Sequence, residues 1–114
     1  MNHVGQAIYE GPNRELAFQY FEEADSLAEI VDLPRLRVHA LLNLAKYQRY
    51  FIKDSTKTVN TFLKSAAISR AIDYHWGAGK SYAKLASFYT KYNQIELSEE
   101  YLELAASHLS LIHI

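Results

Sequence analysis

Apolar residues recur three and four positions apart along this chain, in blocks separated by short polar or Gly/Pro-marked breaks. In residues 14–31, Ala17, Phe21, Ala24, Ala28 and Val31 make one face at the period of an α-helix. The stripe continues as Leu41, Leu44, Ala45 and Gln48 in residues 35–53, and as Val59, Leu63, Ala66 and Ala67 in residues 57–74. Between Tyr82 and Ala105, Tyr82, Leu85, Ala86 and Tyr89 share a face, and Ser98, Leu102 and Ala105 share another after a turn at Asn93. Leu102 is thereby expected in the core. No stretch alternates apolar and polar residues between hairpin signals. The pattern predicts an all-α fold of six helices, the first within residues 1–10 and the last running to the C-terminus.

The breaks fit this division. Gly11-Pro12-Asn13 interrupts the first helix, because Pro lacks a backbone donor and Gly relaxes the chain. Asp32-Leu33-Pro34 ends one helix and opens the next, since Pro is tolerated in a first helical turn. Asp54-Ser55-Thr56 supplies N-cap candidates. His75 to Gly79, with two glycines, reads as a looser joint.

The blocks also repeat. An offset of 41 places Asp32 on Asp73, Leu41 on Tyr82, Leu44 on Leu85 and Ala45 on Ala86 without a gap. The triads Ala17/Phe21/Ala24, Val59/Leu63/Ala66 and Ser98/Leu102/Ala105 share one internal spacing and succeed each other at 42 and 39 residues. Val4, Gly5 and Ile8 precede the first triad, with Gly5 where a paired helix would approach closely. The order of these residues resembles the tetratricopeptide repeat, a helical hairpin of pattern W-x2-L-G-x2-Y then A-x3-F-x2-A. The Trp of that pattern is replaced by Met1, Leu41 and Tyr82. The resemblance implies one domain over residues 1–114, a right-handed superhelical array of about three hairpins (about 1–33, 34–74 and 75–114). A period near 40 exceeds the usual 34 and is similar to helical arrays in bacterial regulators.

Composition narrows the function. The 114 residues are 49% hydrophobic and carry a formal net charge of −1. Broad nucleic-acid binding needs a basic surface, so no nucleic-acid partner is expected. There is no cysteine, hence no disulfide and no thiolate metal site. The N-terminus lacks a signal pattern, and no apolar run approaches the ~20 residues of a membrane span. A cytoplasmic protein without a membrane partner is the expectation.

Candidate chemistry is sparse. GAGKS at 77–81 invites a phosphate-loop reading, but Tyr74 stands where that motif needs Gly, and a helix precedes it instead of a strand. The five histidines (His3, His39, His75, His108 and His113) form no i, i+4 pair and no metal-ligand cluster in sequence. Glutamates such as Glu22, Glu23, Glu99, Glu100 and Glu103 mostly fall on outward helical positions. No catalytic residue, cofactor or metal site is expected.

The resemblance instead implies a concave binding face, lined by the first helix of each hairpin. On this chain it maps to Asn2, Gln6 and Tyr9, then to His39, Leu42, Asn43, Lys46, Arg49 and Tyr50, and then to Lys80, Lys84, Ser87, Thr90 and Lys91. The peptide-binding candidates are Asn43, Lys46, Arg49, Tyr50, Lys80, Lys84, Ser87 and Lys91. A basic, polar and aromatic groove suits an acidic peptide or a C-terminal carboxylate through charge-assisted hydrogen bonds. Part of the family grips that carboxylate with five basic or Asn residues. Asn43, Lys80 and Lys84 match or nearly match three of them, while Asn2 and Gln6 stand where Lys and Asn are expected. The expected function is a non-catalytic protein- or peptide-binding scaffold. The alternative is a sensor fragment of a larger bacterial regulator, either a peptide-responsive transcription regulator or a response-regulator phosphatase. The apolar end, with Leu109, Leu111, Ile112 and Ile114, leaves three further readings open: a homo-oligomer, a longer array, or a last helix that folds back on its own hairpin.

Overall fold

The computed structural model describes residues 14–112, which form five α-helices and, among the described residues, no strand. They are α1 (Arg14–Ile30), α2 (Pro34–Tyr47), α3 (Ser55–Ala71), α4 (His75–Lys91) and α5 (Ile95–Leu109). Between α2 and α3, Gln48–Ile52 continues α2 as a π-helical turn. The helix expected in residues 1–10, its Gly11-Pro12-Asn13 break and the groove positions Asn2, Gln6 and Tyr9 lie outside the described residues.

Four residues at positive φ separate the helices: Asp32 (55°), Lys53 (61°), Asp73 (54°) and Asn93 (59°). Asp and Asn tolerate this left-handed conformation better than most residues, which is why three of the turns fall on them. The next amide then reaches back five residues. Leu33 N donates to Ala28 O, Tyr74 N to Ser69 O and Gln94 N to Tyr89 O, each at 2.8 Å. These bonds satisfy carbonyls that the helix ends would otherwise orphan. At the fourth turn Asp54 caps α3, its Oδ1 accepting from Lys57 N at 3.0 Å. Pro34 opens α2, as its fixed φ and missing N–H favour.

The boundaries reproduce the sequence offset. Arg14–Ile30 and Ser55–Ala71 are both 17 residues long and begin 41 positions apart; α2 and α4, opening at Pro34 and His75, are separated by the same interval. Burial keeps the same register. Ala17, Phe21, Ala24 and Ala28 are buried on α1, and Thr58, Phe62, Ser65 and Ser69 are buried on α3. Leu41, Leu44, Ala45 and Tyr47 correspond likewise to Tyr82, Leu85, Ala86 and Phe88, all buried. The register breaks once. From Pro34 to Ser55 the chain uses one residue more than from His75 to Ile95, and the π turn takes up the extra residue.

Each helix packs on its neighbours in sequence, and α2 also touches α4. One core cluster joins Ala17 and Phe21 of α1 to Leu41, Leu44 and Tyr47 of α2. The other joins Ala45 of α2, Phe62 and Ala66 of α3, Ala78, Tyr82 and Leu85 of α4, and Ala105 of α5. The second cluster has a polar seam: Ser65 and Ser81 share a buried hydrogen bond of 2.8 Å, and Ser81 also donates to Gly77 O.

Several expected core positions differ. On α3 the inward residue is Phe62, 2% exposed, while Leu63 is 37% exposed. The hydroxyls of Thr58 and Ser65 find partners, so this helix buries hydroxyl residues where Leu63 and Ala67 were expected, while Val59 is half-buried against the core. Val31 and Leu102 are also exposed, at 51% and 58%. Leu102 has no cover because, among the described residues, α5 packs only on α4. Leu104, Leu109, Leu111 and Ile112 are exposed as well. His75 to Gly79 is no loose joint either. It forms the first turns of α4, and Gly77, Ala78 and Gly79 are buried.

Candidate functional site

The contact between α2 and α4 opens on one side into a cavity of about 230 Å³. Leu42, Asn43 and Lys46 of α2, Arg49 and Tyr50 of the π turn, and Lys80 and Lys84 of α4 line it, with Phe62 from α3. Helical periodicity explains the set. Residues three, four and seven apart share a helix face, which aligns Leu42, Asn43, Lys46 and Arg49 on one side of the joint and Lys80 and Lys84 on the other.

Six of the eight residues expected at the binding face therefore meet: Asn43, Lys46, Arg49, Tyr50, Lys80 and Lys84. Ser87 and Lys91 are exposed and outside the cavity lining, with Lys91 Nζ 6.0 Å from the Tyr92 ring centre. His39 is engaged elsewhere. Its Nε2 lies 3.0 Å from the Tyr74 hydroxyl, and its ring stacks on Trp76 at 5.0 Å. Thr90 is also occupied, donating to Ala86 O at 2.9 Å and lying 2.6 Å from Ser98 Oγ. Phe62 was missed as a lining residue. Moving Phe21 forward by the offset of 41 would have found its burial, though not its place at the cavity.

The electrostatics are one-sided. Among the described residues, four cations (Lys46, Arg49, Lys80 and Lys84) and no carboxylate line the cavity. Among the described residues, the ion pairs join Asp25 to Arg37 and Lys64, and Glu29 to Arg37. None reaches Arg49, Lys80 or Lys84. Burial, then the positive charges of Lys80, Lys46 and Arg49, holds the Lys84 amine below its usual range. Arg49 lies over the rings of Tyr50 and Phe88 at 5.0 and 5.6 Å. Its Nε is buried and has no hydrogen-bond partner. Asn43 Nδ2 donates to His39 O at 3.1 Å, which fixes its amide beside the cations.

A second cluster joins α4 to α5. His75 Nδ1 and His108 Nδ1 are 3.1 Å apart. The His108 ring stacks on Tyr82, which stacks on Tyr101, which stacks on Tyr89, with centres 5.7 to 5.9 Å apart. No group of three or more His, Cys, Asp or Glu placed to hold a metal ion occurs among the described residues. No described helix is long and apolar enough to cross a membrane.

Comparison with protein-family models, curated proteins and solved structures returns no match to this chain.

Proposed function

We propose that this chain is a tetratricopeptide-like interaction module, with no catalytic activity of its own, that binds an acidic peptide segment in the cavity between α2 and α4. The observation that carries the reading is the gathering of Asn43, Lys46, Arg49, Tyr50, Lys80 and Lys84 around one cavity with no carboxylate among the described residues that line it. An acidic segment would supply what the site lacks, through charge-assisted hydrogen bonds to the cations and apolar contact with Tyr50 and Leu42. The hairpin array is supported by the matching boundaries and burial of α1 with α3 and of α2 with α4. Such arrays present adjacent first helices as an extended binding surface. In this chain those helices are α2 and α4.

The test is fluorescence anisotropy at low salt with pools of labelled nine-residue peptides that are acidic, neutral or basic. The acidic pool is expected to bind, and binding should weaken as salt screens the contacts. Lys80→Glu with Lys84→Glu should abolish binding, and circular dichroism would verify the fold. An amidated acidic pool separates recognition of a C-terminal carboxylate from recognition of side chains. Equal binding of acidic and neutral pools would overturn the proposal.

A further inference from the structure

The cavity carries more positive charge than one carboxylate can neutralise. Arg49, Lys80 and Lys84 face it with no ion-pair partner among the described residues. Lys80 and Lys84 are four residues apart on one helix, where like charges repel. Arg49 Nε is a buried donor left without an acceptor, an arrangement that costs free energy until something fills it. A carboxylate brings one charge and two oxygens. A phosphoryl group brings nearly two charges and three strong acceptor oxygens, matching the three cationic side chains.

We infer that the group recognised between α2 and α4 is a phosphoryl dianion carried on a peptide side chain. The inference rests on the peptide-binding reading above. Attachment to a peptide, in preference to free phosphate, is favoured by the rest of the wall. Leu42 and Tyr50 offer apolar surface that a bare anion would not use. Arg49 has the planar fork suited to phosphate oxygens, and Lys80 and Lys84 act as point charges beside it.

The test compares three versions of one acidic nonapeptide whose central residue is serine, glutamate or phosphoserine, with inorganic phosphate as competitor. The phosphoserine peptide should bind roughly tenfold more tightly than the glutamate peptide at pH 7.5. Its advantage should shrink as pH falls through about 6, where the phosphate takes up its second proton. The glutamate peptide controls for every pH effect other than protonation of the phosphate. Lys80→Gln and Lys84→Gln alter exposed side chains and should erode the phosphoserine preference without loss of helicity. Equal affinity for the glutamate and phosphoserine peptides would overturn the inference and leave the peptide-binding reading standing. Failure of all three to bind would overturn both. Displacement by inorganic phosphate at the concentration at which the phosphopeptide itself binds would show that the peptide contributes nothing, and would also overturn the inference.

Discussion

Leu85 and Leu102 look alike in the apolar pattern, yet they carry opposite weights. Leu85 has no exposed surface and sits in the cluster with Ala45, Phe62 and Tyr82, whereas Leu102 is 58% exposed on the uncovered side of α5. Leu85→Ala should therefore cost about 2–5 kcal/mol in urea denaturation, as cavity formation in a core does. Leu102→Ala should stay within about 0.5 kcal/mol, and a loss above about 2 kcal/mol would mean that its face is covered in solution. Residue identity and period placed Leu41, Leu44, Ala45, Tyr82, Leu85 and Ala86 correctly inside. The same reasoning chose Leu63 over Phe62 because it weighs hydrophobicity and cannot see that Thr58 and Ser65 have hydrogen-bond partners. Leu102 fits the period, but period alone cannot reveal that no described helix lies beyond α5.

Among the helices, contact between α3 and α4 depends on a missing side chain. A Cβ on Gly77 would collide with Ser69 Oγ on α3, and would lie 2.8 Å from the Tyr74 ring and 3.0 Å from Val38 of α2. Ser69 Oγ is buried without a hydrogen-bond partner, hemmed in at this closest approach. Gly79 differs, because its Cβ would meet Leu109 at 2.6 Å, an exposed side chain at the end of α5. Gly77→Ala should destabilise by roughly 1–3 kcal/mol through overpacking. Gly79→Ala should be near neutral, since Leu109 can turn away and alanine favours a helix by about 1 kcal/mol. Paired thermal melts would check the order, and an equal loss at both glycines would refute the packing argument. The joints at Asp32 and Asn93 were legible in the sequence because their chemistry is local, whereas the joint at Asp73 was read a few residues late, at His75 to Gly79. The role of Gly77 was not legible, because its neighbours come from α2, α3 and the joint at Tyr74.

For the molecule as a whole, two histidines couple folding to pH. Burial lowers the pKa of His39, which meets Tyr74 from α2. Burial also lowers that of His108, with further depression from the charges of His75 on α4 and Arg70 on α3. The unfolded chain then binds protons more readily than the folded one between the ordinary value of 6.5 and the lowered folded values. Stability is therefore fully present above pH 6.5 and is lost as pH falls through the folded values. Thermal melts from about pH 7.5 to about pH 5 should show a falling midpoint, and His108→Gln should flatten the lower part of that curve. An unchanged slope in both His108→Gln and His39→Gln would exclude this coupling. The sequence showed five isolated histidines. His75 and His108 are 33 positions apart and meet only because α5 folds back on α4.

The π turn at Gln48–Ile52 separates two kinds of inheritance. Arg49 and Tyr50 lie within it, and the extra residue is absent between α4 and α5. A single in-frame codon thus sets the bearing of two cavity residues, since each residue added to a helix rotates the downstream side chains by about 100°. Point substitutions in Leu41, Leu44 or Ala45 act on the scaffold and leave that bearing alone. Loss of the codon would act in reverse, leaving the faces of α2 before the turn in register while redirecting the guanidinium. A one-residue deletion in this turn should therefore alter peptide binding while Leu41, Leu44 and Ala45 stay buried.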